Sequence, residues 1–330
     1  MLRKLIDRAR HLLLPAWDYF HWLLGQARRL RSHVRKRWAG ADPVADSDSE
    51  AVYLHFDRGG AVHDYVIRQL QELVSAGFRI TFVSNAPKFD PNCPAEIIPH
   101  CRQILWRRNV GYDFGGYKDG IAAVGDLGRV KRLLLMNDSV YGPFRPLSEV
   151  LAAVDPSQTD MWGITDSWEH NYHIQSYFVL FLKGAIESHV FSRFWNSYPY
   201  VNRKGWVIRK GEIGLTQAFT QHKVRVSVLN PFFDVAKVVL AKLERANVDD
   251  LPPAHRDFLR DLRSMLIQGR PMNQSHFFWD TLVTDCGCPF LKREVILLNP
   301  ARLPYAWRWS EIIARTKYDI GLILRDMQAH

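Results

Sequence analysis

Four segments carry residues whose types and spacing can do chemistry. The densest runs from Trp106 to Gly120, WRRNVGYDFGGYKDG. Gly111, Gly115 and Gly116 let a backbone come close to a ligand, because no Cβ stands in the way. Arg108 and Lys118 suit a diphosphate, and Asn109 and Asp113 suit hydroxyl groups. The spacing is neither G-x-G-x-x-G nor G-x-x-x-x-G-K-S/T, so a dinucleotide fingerprint and a phosphate loop are both unsupported. A glycine-rich turn with solvated charges is an equal reading of the same residues. The second segment, LLLMNDSVYGP at 133–143, ends an apolar strand on Asn137-Asp138-Ser139. A carboxylate there can hold Mg²⁺ or Mn²⁺ against a diphosphate, since hard cations prefer oxygen ligands. Asp138 is that candidate metal ligand. The third, HIQSYF at 173–178, sets His173, Gln175 and Ser176 ahead of an apolar strand, a place from which they could line an acceptor pocket. A lone histidine in such a place is more often structural than catalytic. The fourth, RKGEIGL at 209–215, puts Glu212 at an expected loop-to-helix start. A carboxylate poised over an acceptor hydroxyl is what a general base requires, although an ordinary N-terminal helix acid would look the same.

The elements that position these segments follow from the apolar pattern. Short apolar runs predict strands at 51–56, 78–83, 103–106, 129–136, 161–165, 176–182 and 224–229. Between the first two, Val62, Val66, Leu70, Leu73 and Val74 recur at helical spacing and Gly77 stops the helix. Residues 236–268 read as helical, broken at Pro252-Pro253. Strands alternating with helices predict an α/β fold with a mainly parallel central sheet. Ligands in such sheets sit beyond the carboxyl ends of the strands. Polar residues follow four of the predicted strands there: His55 and Asp57, Ser84 and Asn85, Arg107 to Asn109, and Asn137 with Asp138.

The chain has 330 residues, 47% apolar and 24% charged, which excludes a largely disordered chain or a fibre. Its formal net charge of +10 is concentrated at one end: residues 1–38 hold ten Lys/Arg against two Asp. Pro15 and Asp18 interrupt the apolar part of this arm, so it matches neither a signal peptide nor a spanning helix. Trp17, Phe20, Trp22, Leu23 and Leu24, followed by Arg28, Arg29, Arg31, Arg35, Lys36 and Arg37, predict an amphipathic helix on an anionic membrane. An acidic linker at 39–50 separates the arm from a domain at 51–330, whose 236–330 part is mostly helical. Beyond the arm no basic and aromatic face is clustered, so no nucleic-acid partner is expected. Cys93, Cys101, Cys286 and Cys288 make no disulfide framework and read as reduced thiols, with Cys286-Gly-Cys288 an incomplete zinc half-site at most.

Taken in order, R-x-N-x-G-Y-D-F-G at 107–115, L-L-x-N-D-S-x-Y-G-P at 134–143, H-I-Q-S-Y-F at 173–178, E-I-G-L-T at 212–216, N-Q-S-H-F-F-W-D at 273–280 and P-F-L-K-R-E-V at 289–295 are similar to the rhamnan synthesis protein F family. The resemblance spans roughly residues 51–300. It implies a GT-A-like nucleotide-sugar-binding fold and a glycosyltransferase that builds cell-surface polysaccharide such as lipopolysaccharide O-antigen. A rhamnosyltransferase is implied, inverting, with dTDP-L-rhamnose as donor and a lipid-linked glycan as acceptor. By the same analogy His55, Asp57, Asn85, Arg108, Asn109, Gly111, Asp113, Gly116 and Lys118 face the donor. Asp138 takes the place of the usual metal-binding acid motif, as Asn-Asp-Ser rather than Asp-x-Asp. Glu212 is the implied base, with Asp166 as its rival. The expected location is the cytoplasmic face of the membrane, held peripherally by the arm. A non-catalytic nucleotide-sugar or glycan-binding assembly protein is the alternative.

Overall fold

Seven of the eleven strands among the described residues arise where the apolar runs place them. The computed structural model describes residues 17–89, 95–245 and 251–329. The first sixteen residues of the arm, and Cys93, lie outside them. The strands are β1 (Val34–Ala39), β2 (Ser49–His55), β3 (Arg79–Ser84), β4 (Gln103–Arg107), β5 (Arg132–Asn137) and β6 (Val140–Tyr141). They continue as β7 (Met161–Ser167), β8 (His173–Ile174), β9 (Phe178–Leu182), β10 (Val226–Asn230) and β11 (Leu291–Lys292). The main sheet runs β1-β4-β3-β2-β5-β9-β7-β10, with β8 paired to β7 beside this path. β4, β3, β2 and β5 are mutually parallel, as are β7 and β10. β1 and β9 run antiparallel to their neighbours. The fold is α/β with a mainly parallel central sheet.

Helices cover both faces, so the central strands are buried throughout, as parallel strands require. Every residue of β2 is buried. Ala51 and Tyr53 face one layer, with the helices Asp64–Ser75 and Phe232–Arg245. Val52 and Leu54 face the other, with the helices Tyr112–Val124, His189–Ser197 and Ile213–Gln221. Successive side chains of a strand point to opposite faces, and this alternation splits the core in two. The two-stranded ribbon of β6 and β11 ties the C-terminal part back to the end of β5.

The N-terminal arm departs from expectation. Residues 17–28 are helical, but 34–39 form β1, an edge strand paired with β4. The boundary drawn at residue 38 therefore falls inside the sheet, and the linker drawn at 39–50 ends inside β2. The signal in β1 is weak because VRKRWA is an edge strand carrying charges on purpose: cations blunt an open edge against pairing with another chain. Arg35 lies over the Trp106 ring, 4.9 Å from its centroid. The helix is also docked rather than tethered. Asp18 pairs with Arg203 and Arg209 at 2.7 Å each, and the Arg28 guanidinium donates to the Tyr200 carbonyl at 3.1 Å.

The zinc half-site is not built either. Cys288 is buried, its thiol donates to the Phe290 carbonyl, and burial pushes its pKa up to about 12, against the thiolate that zinc binds. Among the described residues no group of three or more His, Cys, Asp or Glu is placed to hold a metal ion.

Candidate active site

The ends of β2, β5 and the helix Tyr112–Val124 bring acidic residues together. Asp138 follows β5 directly, and its Oδ2 accepts the Phe56 N–H at 2.8 Å. Burial pushes its pKa up to about 6. Asp113 lies in the first turn of the helix, where Asn137 Nδ2 reaches its Oδ2 at 3.4 Å. Its pKa is also pushed up to about 6, first by burial and then by the charges of Asp138 and Glu212. Glu212 Oε1 accepts the Ser176 N–H at 2.7 Å, which fixes the carboxylate against the strand that begins at Phe178. Asp113, Asp138 and Glu212 thus face one another electrostatically at the carboxyl end of the sheet.

Lys292 faces the same acids, and the sequence reading assigned it no role. Burial lowers its pKa, while Glu212, Glu294 and Asp113 oppose that shift. Its ammonium lies 3.3 Å from Ser139 Oγ and 4.5 Å from the Tyr177 ring centroid. The signal was there, in P-F-L-K-R-E-V, but only the pairing of β11 with β6 puts that segment beside Asp138. The next residue, Arg293, forks onto the buried Asp326 at 2.8 and 2.9 Å. Asp326 also accepts from the Tyr141 hydroxyl, so the helix Gly321–Gln328 is locked under the ribbon. Arg293 and the Tyr65 hydroxyl both reach the Asp138 carbonyl, at 3.5 and 3.0 Å.

Several expected donor contacts are instead spent inside the fold. His55 is buried between Ser84 Oγ at 3.1 Å and the Ala61 carbonyl at 2.9 Å, and burial pulls its pKa down to about 4. It is a neutral strut. Asp57 Oδ1 accepts the Ala61 N–H at 2.9 Å and closes the turn after β2. Burial raises its pKa, but the backbone N–H groups of Ala61 and Gly60 together with His63 outweigh that and hold it low. Asn85 accepts from Arg107 at 2.7 Å and donates to the Tyr112 carbonyl at 3.2 Å. Lys118 donates to the carbonyls of Tyr198 and Asn196 at 2.6 and 3.2 Å, so it caps the helix His189–Ser197 and does not meet Asp113. Arg108 is exposed beside β1, and Asn109 Oδ1 is buried without a hydrogen-bond partner.

The glycines serve packing. Residues 112–124 form a helix rather than a loop, and a Cβ on Gly116 would lie 2.3 Å from Leu54 Cδ1. Gly111 has φ of +82° at the helix start and donates its N–H to Asn202 Oδ1 at 2.6 Å. These glycines allow close approach within the fold: Gly116 meets Leu54 of the sheet, and Gly111 and Gly115 meet Tyr200.

Glu212 and Asp166 also sit differently from expectation. Glu212 closes a π-helical turn, Ile208–Glu212, within a helical run that starts at Lys204, so it is not a helix N-terminal acid. Such turns are often found at functional sites. Asp166 ends β7, two strands from β5 and so ~10 Å away across the sheet. Its Oδ1 accepts the Phe232 N–H and Gln274 Nε2, both at 2.8 Å, and burial pushes its pKa up to about 6. It caps the helix Phe232–Arg245. His173 Nδ1 lies 2.8 Å from the Asn171 carbonyl, and Gln175 bridges Thr165 and Asn273 at 2.6 and 3.1 Å. Of the expected acceptor residues, Ser176 alone bonds to Glu212.

Relatives share much of this chain. The uncharacterized protein y4gN of Sinorhizobium fredii is 34% identical over 230 residues, 66% of this chain and 58% of that protein. The chain therefore spans a little over half the length of that relative. Virulence protein VirA of Vibrio anguillarum is 27% identical over 266 residues, 79% of this chain and 83% of its own. Among solved structures, a glycosyltransferase involved in glycosylation of the major capsid of PBCV-1 overlaps with a TM-score of 0.33 at 13% identity, covering 54% of this chain and 81% of that one. GlyE, a glycosyltransferase of Streptococcus pneumoniae, gives 0.32 at 9% identity, covering 68% and 64%. Overlap that slight carries no argument about fold or activity. The family model of rhamnan synthesis protein F matches residues 80–240. That stretch contains Asp113, Asp138, Asp166 and Glu212, so the segment that supplies the site's acids is the one similar to rhamnan synthesis protein F.

Proposed function

We propose that the chain is a glycosyltransferase of polysaccharide synthesis with a GT-A-type site. It takes a sugar from a nucleotide-activated donor and inverts the anomeric centre. The observation that carries this reading is the meeting of Asp113, Asp138, Glu212 and Lys292 beyond the carboxyl ends of parallel strands. The family name supports a rhamnosyl donor, dTDP-L-rhamnose, and a lipid-linked, growing glycan as acceptor.

Each residue then has a task. Glu212, held by the Ser176 N–H, takes the proton of the acceptor hydroxyl as its oxygen bonds to the anomeric carbon. The bond from that carbon to the diphosphate breaks, and the electron pair leaves with the diphosphate. Lys292 supplies positive charge where that negative charge develops. Mg²⁺ commonly takes one or two carboxylates and completes its shell with phosphates and water. Asp138 and Asp113 fit that demand: both are buried, and the charge of one raises the pKa of the other. Bound there, Mg²⁺ or Mn²⁺ would neutralise the diphosphate.

The test is nucleoside diphosphate release from a panel of nucleotide sugars, with and without EDTA and with membrane extract as acceptor source. Glu212→Gln and Asp138→Asn should each lose at least ~10²-fold in rate. Wild-type rates in both variants would sink the assignment. Silence of the wild type across the whole panel would favour a non-catalytic binding protein.

The arm gives the reading a place. Trp17, Tyr19, Phe20, Trp22, Leu23 and Leu24 are exposed on the docked helix, beside Arg28, Arg29 and Arg31. No helix among the described residues is long and apolar enough to cross a membrane. An apolar face turned outward beside cations suits the headgroup layer of an anionic membrane, at its cytoplasmic face where lipid-linked acceptors are extended.

A further inference from the structure

A second exposed aromatic surface lies at the β7–β8 hairpin. Trp168 and Phe233 are exposed, at 39% and 54%, and their ring centroids stand 5.2 Å apart. Tyr172 joins them, 5.0 Å from Trp168. The three come from the β7–β8 hairpin loop and from the start of the helix Phe232–Arg245. Their positions are set by the framework beneath. Asp166 caps that helix through the Phe232 N–H and also accepts a hydrogen bond from the Trp168 side chain. Large apolar rings held open to water, with their orientation fixed from below, call for an occupant.

The surroundings select among occupants. Residues 166–173, DSWEHNYH, contain Asp166 and Glu169 and no Lys or Arg, and Phe233 is followed by Asp234. An anionic lipid surface would be repelled where the arm attracts it. Exposed Asn171 and His170 and half-buried Glu169 stand in the same hairpin loop and supply hydrogen-bonding groups. Carbohydrates present that combination. Their C–H faces carry partial positive charge and pack on the negative face of an aromatic ring, and their hydroxyls pair with amides and carboxylates. The hairpin also leads to the reacting groups. Ser167 pairs with His173, and Ser176, bonded to Glu212, lies three residues further on, ~10 Å of extended chain.

We infer that Trp168, Tyr172 and Phe233 form a shelf that holds the saccharide chain of the acceptor, several sugar units back from the end presented to Glu212. The inference depends on the transferase reading for what the shelf feeds, and on the hairpin geometry for where it lies. It makes the protein a reader of chain length: a long acceptor gains the shelf and a single sugar does not.

The test uses the full chain labelled with 5-fluorotryptophan, with the Trp168 fluorine resonance assigned from Trp168→Phe. The probes are methyl rhamnoside, tetrasaccharides of rhamnose, mannose and glucose, and phosphatidylglycerol vesicles. The Trp168 resonance should move saturably with at least one tetrasaccharide and stay in place with the methyl glycoside and the vesicles. Trp168→Ala and Phe233→Ala should each weaken that tetrasaccharide by about tenfold, the loss of one stacked ring. A resonance that ignores all three tetrasaccharides, or that follows vesicles or protein concentration instead, overturns the shelf. Saccharide binding without sugar transfer would overturn the transferase reading and keep the shelf. Transfer with an unchanged KM for the long acceptor in Trp168→Ala would do the reverse.

Discussion

Asp138 and Asp113 hold their protons more tightly than free carboxylates do, and this has a sign that can be measured. Both have pKa values in the fold of about 6 against 3.8 for an ordinary aspartate, so the folded state binds the extra proton. Stability is then greatest below about 4, falls as pH rises toward about 6, and stays reduced above it. Asp138→Asn removes that penalty and still offers an oxygen to the Phe56 N–H. The variant should therefore melt higher than wild type at pH 8, with the gap closing toward pH 4, although it transfers no sugar. Equal melting temperatures across that range would mean that Asp138 is solvated rather than buried. Saturating Mn²⁺ should reverse the order at pH 8, since a ligand that binds only the folded wild type stabilises it by mass action.

Among the elements, the helix Tyr112–Val124 does most to shape the site, because it carries Asp113 against the sheet. A Cβ on Gly120 would lie 2.3 Å from Val52 Cγ1 and 3.0 Å from Val83 Cγ2. Valine is stiff at χ1, so neither side chain can swing away cheaply. Gly120→Ala gains up to ~1 kcal/mol of helix propensity and meets an overpacking cost of ~1–3 kcal/mol. A lower urea midpoint is the expected outcome, and a raised one would show that the valines give way. This helix also marks the limit of what the sequence makes legible. Buried runs such as Leu133 to Met136 announce their strands, because a parallel strand is apolar on both faces. Asp138 is legible as an acid at a strand end, whereas Glu212 is legible as an acid but not in its place, since it sits inside a helical run rather than at its start. The 112–124 segment hides its helix, because Gly115, Gly116 and Gly120 are poor helix formers used for close packing. β1 hides behind its edge charges. Lys292 is invisible as a site residue, since 153 positions separate it from Ser139 and only tertiary structure closes that gap.

At the scale of the whole molecule, the docked arm fixes how the site faces its surroundings. Asp18 grips Arg203, which precedes the helical run that carries Glu212, and Arg209, which lies in its π-helical turn. Replacing Trp17, Phe20 and Trp22 with Ser should abolish co-sedimentation with anionic vesicles and leave the melting temperature unchanged, because these faces point outward. Persistent co-sedimentation would move the membrane contact elsewhere. The other terminus has a consequence of its own. Asp326 neutralises Arg293 and meets Tyr141, which the ribosome made 185 residues earlier. A nascent chain can assemble its sheet and helices well before that partner emerges from the exit tunnel. Until then Arg293 stands beside the Asp138 carbonyl with its buried counter-charge missing, and the ribbon under the site has nothing to close on. Translation itself thus acts as a timer, withholding a finished site until the helix Gly321–Gln328 has been made.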